Sequence, residues 1–165
     1  MKAQSGTPLA AQRRRGGSIR LRKPGLADAT GVSLLLGELG YPSSPRFVAK
    51  QIAILAGLDR SVMFVAADGK IVLGFLALRW DPMIHRLHPV ARIATLVISR
   101  AARRRGIGRL LVERALATAR RAGCEGLEVT TGLQRREAHR FYEALGFHRR
   151  ARRYYRSIRD TATSR

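Results

Sequence analysis

Apolar residues in this chain follow two rhythms. Val62 to Ala66, Ile71 to Arg79 and Ile93 to Ile98 are short, nearly continuous apolar runs that read as strands, the last as a central strand buried on both faces. By contrast, Val32, Leu35, Leu36 and Leu39 recur at helical spacing after Ala27-Asp28, and Gly40-Tyr41-Pro42 stops that helix. Pro45 suits the first turn of a second helix carrying Phe47, Val48, Ile52 and Leu55, with Gly57 near its end. Leu111, Ala115 and Ala119 form one stripe of a helix predicted from Gly108 to about Ala122, which Gly123 ends. Asp68-Gly69 between two β-favouring runs predicts a hairpin. Ser18 to Arg22 and Gly126 to Thr131 complete the strands, Arg136 to Leu145 a further helix, and Phe147 to Ile158 a final strand or hairpin arm.

This order gives an α/β fold, and 165 residues suit one domain with a real core. Residues 1–17 include Arg13-Arg14-Arg15-Gly16-Gly17, hold no acidic residue and bury little, so they are expected to form a basic flexible tail. The domain is expected to span residues 18–158, and residues 159–165 a C-terminal tail.

Charge changes this picture only in part. The formal net charge is +21, and of 32 basic residues four are Lys and 28 Arg, a skew that arginine-rich codon usage explains as readily as an anionic partner does. A basic chain still attracts polyanions nonspecifically. No segment is apolar for long enough to cross a bilayer, and Met1 to Leu26 lacks the apolar stretch of a signal peptide. With Cys124 as the one cysteine, neither an intrachain disulfide nor a thiolate zinc site can form, and a cytoplasmic setting is expected.

The densest chemistry lies where the central strand gives way to a helix, at Arg103-Arg104-Arg105-Gly106-Ile107-Gly108. Glycines there allow close approach of a ligand to the backbone, and amides at a helix N-terminus attract anions. An ordinary basic turn would look the same by itself. About thirty residues later comes Phe141-Tyr142-Glu143-Ala144-Leu145-Gly146-Phe147, in which Ala138, Phe141, Tyr142 and Leu145 define an apolar helical face. Periodicity alone makes Tyr142 equally a core residue or a reactive phenol.

Taken together, these segments resemble the GNAT superfamily of acyl-CoA-dependent N-acyltransferases, over roughly residues 18 to 158 and most densely from Ile93 to Phe147. The resemblance implies a single GNAT-like domain with a mixed, mostly antiparallel sheet flanked by helices. It implies acetyl-CoA as co-substrate and transfer of an acetyl group to a primary amine by direct attack in a ternary complex. Cofactor binding would fall to the strand backbone at Leu96, Val97 and Ile98, and to Arg103, Arg104, Arg105, Gly106, Ile107, Gly108 and Arg109. Near Ile98 a backbone amide would stabilise the oxyanion, and Tyr142 would act as general acid toward the departing thiolate. Many members carry Asn at the position corresponding to Arg135, a departure in this chain.

An amine nucleophile must also lose a proton. Glu128 is one candidate base, and Asp81, His85 and His88 are others; a water relay or a neutral amine would need none. His85-x-x-His88 lacks a third ligand, so no metal site is expected. Cys124 has no neighbouring His and reads as a packed thiol. Expected partners are acetyl-CoA and an amine acceptor, with nucleic acid only nonspecifically, no membrane, and a homodimer allowed. The rival reading is a basic polyanion- or nucleic-acid-binding module on the same fold, for which Arg149 to Arg156 with Tyr154 and Tyr155 would be the patch.

Overall fold

The computed structural model describes residues 18–150 together with Tyr154 and Arg156, and the chain divides into two compact units, residues 1–129 and 130–165. The tails expected at 1–17 and 159–165 lie outside the described residues. In the first unit, β1 (Arg20–Arg22) leads through a 3-10 turn at Leu26–Asp28 into α1 (Ala29–Leu39) and α2 (Pro45–Ala56). The antiparallel strands β2 (Ser61–Asp68), β3 (Ile71–Asp81) and β4 (Val90–Ile98) follow, then α3 (Ile107–Arg121) and β5 (Gly126–Val129). Strand order follows chain order, with β4 and β5 alone parallel, so the sheet is mixed and mostly antiparallel.

Each helix boundary has a local cause. Gly40 leaves α1 at φ 99°, where an L side chain would be strained. At the start of α2 the Ser44 hydroxyl accepts from the Phe47 amide, and Pro45 fills a position whose N–H has no helical partner. The hairpin turn is Gly69-Lys70, one residue later than the expected Asp68-Gly69, because Asp68 still pairs with Ile71. Gly69 takes the first turn position at φ 57°, the placement of a type II′ turn.

The sheet is covered on both faces, which is why β2 and β3 read as continuous apolar runs. On one face α1 and α2 bury Val32, Leu35, Val48 and Ile52 against Met63, Val65, Phe75, Ala77 and Val97. Against the other lies α3, which packs on β2, β3 and β4 and carries the fully buried Ile107, Leu111 and Val112. Close approach depends on Gly74 of β3: a Cβ there would stand 2.8 Å from Ile98 Cδ1 and 3.1 Å from both Ile107 Cγ2 and Leu111 Cδ1.

Asp28 ties β1 to the start of α1. Its carboxylate is buried and accepts from Arg22 Nη1 at 2.6 Å, Arg22 Nη2 at 2.8 Å and the Gly25 amide at 2.7 Å. The hydrogen bond from Arg22 holds its carboxyl below the usual range, against the opposing effect of burial. Asp28→Asn is expected to destabilise the fold by about 2 kcal/mol at pH 7, since bonds to a charged group are lost. A depressed carboxylate contributes stability above its unfolded pKa and loses it as pH falls through the folded value. Denaturant midpoints of the two proteins should therefore converge below about pH 4.

In the second unit, α4 (Arg136–Glu143) ends at the aromatic signature. Phe147 donates its amide to Tyr142 O at 3.0 Å and Gly146 donates to Glu143 O at 3.0 Å, with Gly146 at φ 82°. This is a Schellman turn, and the contact that accompanies such turns is present as Tyr142 and Phe147 rings 5.4 Å apart. So the spacing from Tyr142 through Gly146 to Phe147 has a helix-ending role of its own. Helix and strand stop earlier than expected, at Glu143 and Val129 rather than Leu145 and Thr131. Residues 147–150 form no strand, and the rest of the arm expected to Ile158 lies outside the described residues except Tyr154 and Arg156.

Candidate active site

Between β4 and α3 the chain makes a short 3-10 turn, Arg100–Ala102, held from outside by Glu38 of α1, whose Oε2 accepts from the Arg100 amide at 2.7 Å. Ser99 donates to Leu73 O at 2.9 Å, fixing the turn to β3 as well. Next come Arg104 at φ 59° and Gly106 at φ 76°, both left-handed. For a non-glycine residue that conformation costs on the order of 1 kcal/mol, and such outliers gather at ligand sites. Among the described residues, none of the amides from Arg104 to Arg109 donates to a backbone carbonyl. The result is a run of amides without a backbone partner at the N-terminus of a fifteen-residue helix, a cradle of the kind that suits an anion.

Arg103 to Arg109, expected to bind the cofactor, run from the end of the 3-10 turn through the first three residues of α3, and Ile107 differs from the rest. Ile107 is 1% exposed and packs into the core, so only its amide faces the loop and its side chain is the anchor that fixes where α3 begins. Arg103, Arg104 and Arg105 are exposed and make no ion pair among the described residues. Arg109 lies 3.9 Å from Glu113 one turn along the helix, a weak exposed pair.

Among the described residues, the strand leading into the loop has a strand partner on one side only beyond Ile93. β5 pairs with Val90 to Ile93 only, whereas β3 pairs with β4 as far as Ile98. Ala94 is an extra residue in that ladder, since Ala77 faces Thr95 and Leu78 faces Ile93. Bulges of this kind turn a strand away from its neighbour. Beyond Ile93, where β5 has ended at Val129, Leu96, Val97 and Ile98 pair with β3 alone among the described residues, leaving an edge that an extended ligand can join and that runs into this turn.

In the second unit, Tyr142 is partly buried between Phe141, at 5.2 Å between centroids, and Phe147. Burial pushes its phenol up to about 12, with the opposing charge of Arg135 the smaller influence. At neutral pH it keeps its proton. No described residue hydrogen-bonds its hydroxyl.

Glu128 of β5 sits opposite Arg92 of β4 in the parallel register, and its Oε1 accepts from both Nε (2.7 Å) and Nη2 of that guanidinium. His85 and His88 are exposed in the β3–β4 loop, and no group of three or more His, Cys, Asp or Glu capable of holding a metal occurs among the described residues. Burial pushes the Cys124 thiol up, away from the reactive thiolate. Two contributors escaped the sequence reading. Glu38 is far from the loop in sequence, with no local signal; Gly74 had one, since a glycine inside a continuous apolar strand marks close approach of another element.

Residues 33–147 match the model of the acetyltransferase (GNAT) family. The chain is similar to the aminoalkylphosphonate N-acetyltransferase of Salmonella typhimurium, at 33% identity over 116 residues that cover 69% of this chain and 71% of that protein. Among solved structures, a candidate acetyltransferase of Agrobacterium tumefaciens has a TM-score of 0.75 at 30% identity, covering 86% of this chain and all of that one. The aminoglycoside N-acetyltransferase AAC(6')-Iy, solved in complex with CoA, has a TM-score of 0.76 at 18% identity, covering 88% and 98%. With the family model spanning well over half its length, the anion cradle and the open strand edge included, this chain belongs to the GNAT acetyltransferase family.

Proposed function

We propose that the chain transfers an acetyl group from acetyl-CoA to a primary amine carrying an anionic group, by direct attack in a ternary complex. The observation that carries the donor half is the cradle at Arg103 to Gly108, with its two left-handed residues and its run of free amides. Those amides suit a pyrophosphate, and the arginines add charge that no described carboxylate neutralises. The open edge of β4 at Leu96, Val97 and Ile98 suits the amide-bearing pantetheine arm, which would join it as an added strand.

Acetyl-CoA brings the activated acetyl group; proton handling falls to the protein. In this reading Tyr142 holds a proton through the neutral range and delivers it to the departing sulfur. Glu128 is the base, with Oε2 the oxygen that Arg92 leaves open. For the acceptor, a net charge of +21 draws anions and repels polyamines, and the Salmonella relative is named for aminoalkylphosphonates. The domain runs from 18 to 158, and a cytoplasmic setting accompanies the reading. No helix among the described residues is long and apolar enough to cross a membrane.

An acceptor panel with acetyl-CoA, comparing aminophosphonates, neutral amines, polyamines and peptides, tests the acceptor half; preference for polyamines would overturn it. Gly108→Leu tests the donor half. Gly108 is the second residue of α3 and has no left-handed φ, so the backbone there accepts leucine. Affinity for CoA should nevertheless fall about 10-fold or more, because a side chain then stands beside the amides. An unchanged CoA isotherm would remove the cradle from the donor site.

A further inference from the structure

A second basic feature lies farther along α3, away from the loop. Arg114, Thr118 and Arg121, spaced i, i+4 and i+7, share one face of the helix and line a groove of about 570 Å³. β1 contributes Leu21 and Arg22, and Lys23 follows; the connection from α2 to β2 contributes Leu58 and Asp59, and β2 begins there with Ser61. Val62 and Trp80 supply apolar surface.

Its charges are uneven in a telling way. Arg22 is engaged by Asp28, whereas Lys23, Arg114 and Arg121 make no ion pair among the described residues, and Asp59 is the one acid on the lining. Arg114 is also held in place: its guanidinium carbon lies 5.8 Å from the centroid of the buried Phe64 ring. A cation fixed on an aromatic face is pre-organised, so less rotamer freedom is lost when it binds an anion. Three unneutralised cations beside apolar surface, in a volume within the 300–1,000 Å³ of ordinary ligand pockets, match a small ligand with both a charged and a flat part. The segment preceding residue 18 has no acidic residue and is not a charge-complementary occupant.

We propose that this groove is a second anion site, distinct from the cradle at Arg103 to Gly108, and that it takes a phosphate-bearing ligand the size of a nucleotide. Lys23, Arg114 and Arg121 hold the phosphates, and Trp80 and Val62 flank the ring.

Trp80 is the chain's single tryptophan, so its fluorescence reports the groove directly. The test titrates the full-length protein, saturated with CoA to occupy the donor site, with uridine diphosphate, pyrophosphate and a thymidine oligonucleotide at physiological salt. Saturable fluorescence change with uridine diphosphate, tighter than with pyrophosphate, is expected. Arg114→Ser/Arg121→Ser should weaken it by about 10-fold or more, as loss of charge-assisted hydrogen bonds does. Arg46→Ser/Lys50→Ser on α2, an equal change in net charge, should leave it within about 2-fold. The proposal is overturned if uridine diphosphate gives no saturable change, if both double variants lose binding equally, or if only the oligonucleotide binds. Because CoA binding is measured first on the same sample, loss of the donor site would be seen separately.

Discussion

Tyr142→Phe is expected to slow acetyl transfer about 100-fold while leaving CoA affinity within about 2-fold. The substitution keeps the ring that packs on Phe141 and Phe147, and it leaves the backbone bonds of the Schellman turn untouched. Only the hydroxyl, and with it the proton, is removed. Single-turnover transfer to an active amine, run beside a CoA isotherm, separates the proton from the packing. The wild-type pH profile carries a second check. A phenol pushed up to about 12 keeps its proton until the solution approaches that value, so it should impose no alkaline limb below about pH 11. The sign for stability is the opposite of the Asp28 case. An unfolded tyrosine titrates near ~10, so the fold should weaken as pH rises from there toward 12. A transfer rate unchanged by the phenylalanine would leave Tyr142 with its helix-ending role alone.

Gly74→Val should have the largest effect on stability. Its Cβ would enter a space already held by Ile98, Ile107 and Leu111 at 2.8–3.1 Å, before the two further methyl groups are counted. Overpacking of this kind costs typically 1–3 kcal/mol, and with three side chains crowded at once, two of them fully buried, the upper end applies. For a chain of this length about 3 kcal/mol corresponds to a Tm lower by roughly 10 °C. The same displacement moves Ile107, from which the cradle is hung, so CoA affinity should fall by about 10-fold as well. Gly37→Ala is the matched control: nothing lies within 4 Å of its Cβ position in α1, and helix propensity favours alanine by about 1 kcal/mol. Thermal melts of both variants with and without CoA read all four quantities. A Gly74→Val protein as stable as wild type would mean that α3 yields without cost.

The two motifs that pointed to a family also turn out to have separable physical jobs. Arg103 to Gly108 positions free amides, and its glycine at 106 sits at φ 76° where the helix must begin. Phe141 to Phe147 closes a helix, with Gly146 in the one conformation that the turn requires. Both were legible because each is local: the residues that make the turn are within seven positions of each other. Local also were the caps of α1 and α2 and the apolar runs of β2, β3 and β4.

What escaped the sequence was set by contacts between distant segments. Asp68-Gly69 is a better turn dipeptide than Gly69-Lys70, yet pairing of Asp68 with Ile71 moved the turn by one residue, since strand register answers to burial on both faces of the sheet. Glu128 was a candidate base with no partner named; parallel pairing of β4 with β5 placed Arg92 beside it, 36 residues away. That pairing of those two strands ends at Ile93 has no sequence signature, because it depends on the parallel register that sets the last residue of β5, Val129, against Ile93. Nor does the sequence announce that Arg104, an ordinary residue in a basic run, adopts a left-handed backbone. By itself, then, the order of residues determined the helices and strands of the described sheet, the approximate places of their ends and the two motifs, because dihedral preference and side-chain periodicity act over a few residues. Only the tertiary structure decided which strand edge stayed open, which carboxylate was paired and which backbone was strained. Those outcomes depend on which distant segments are packed together.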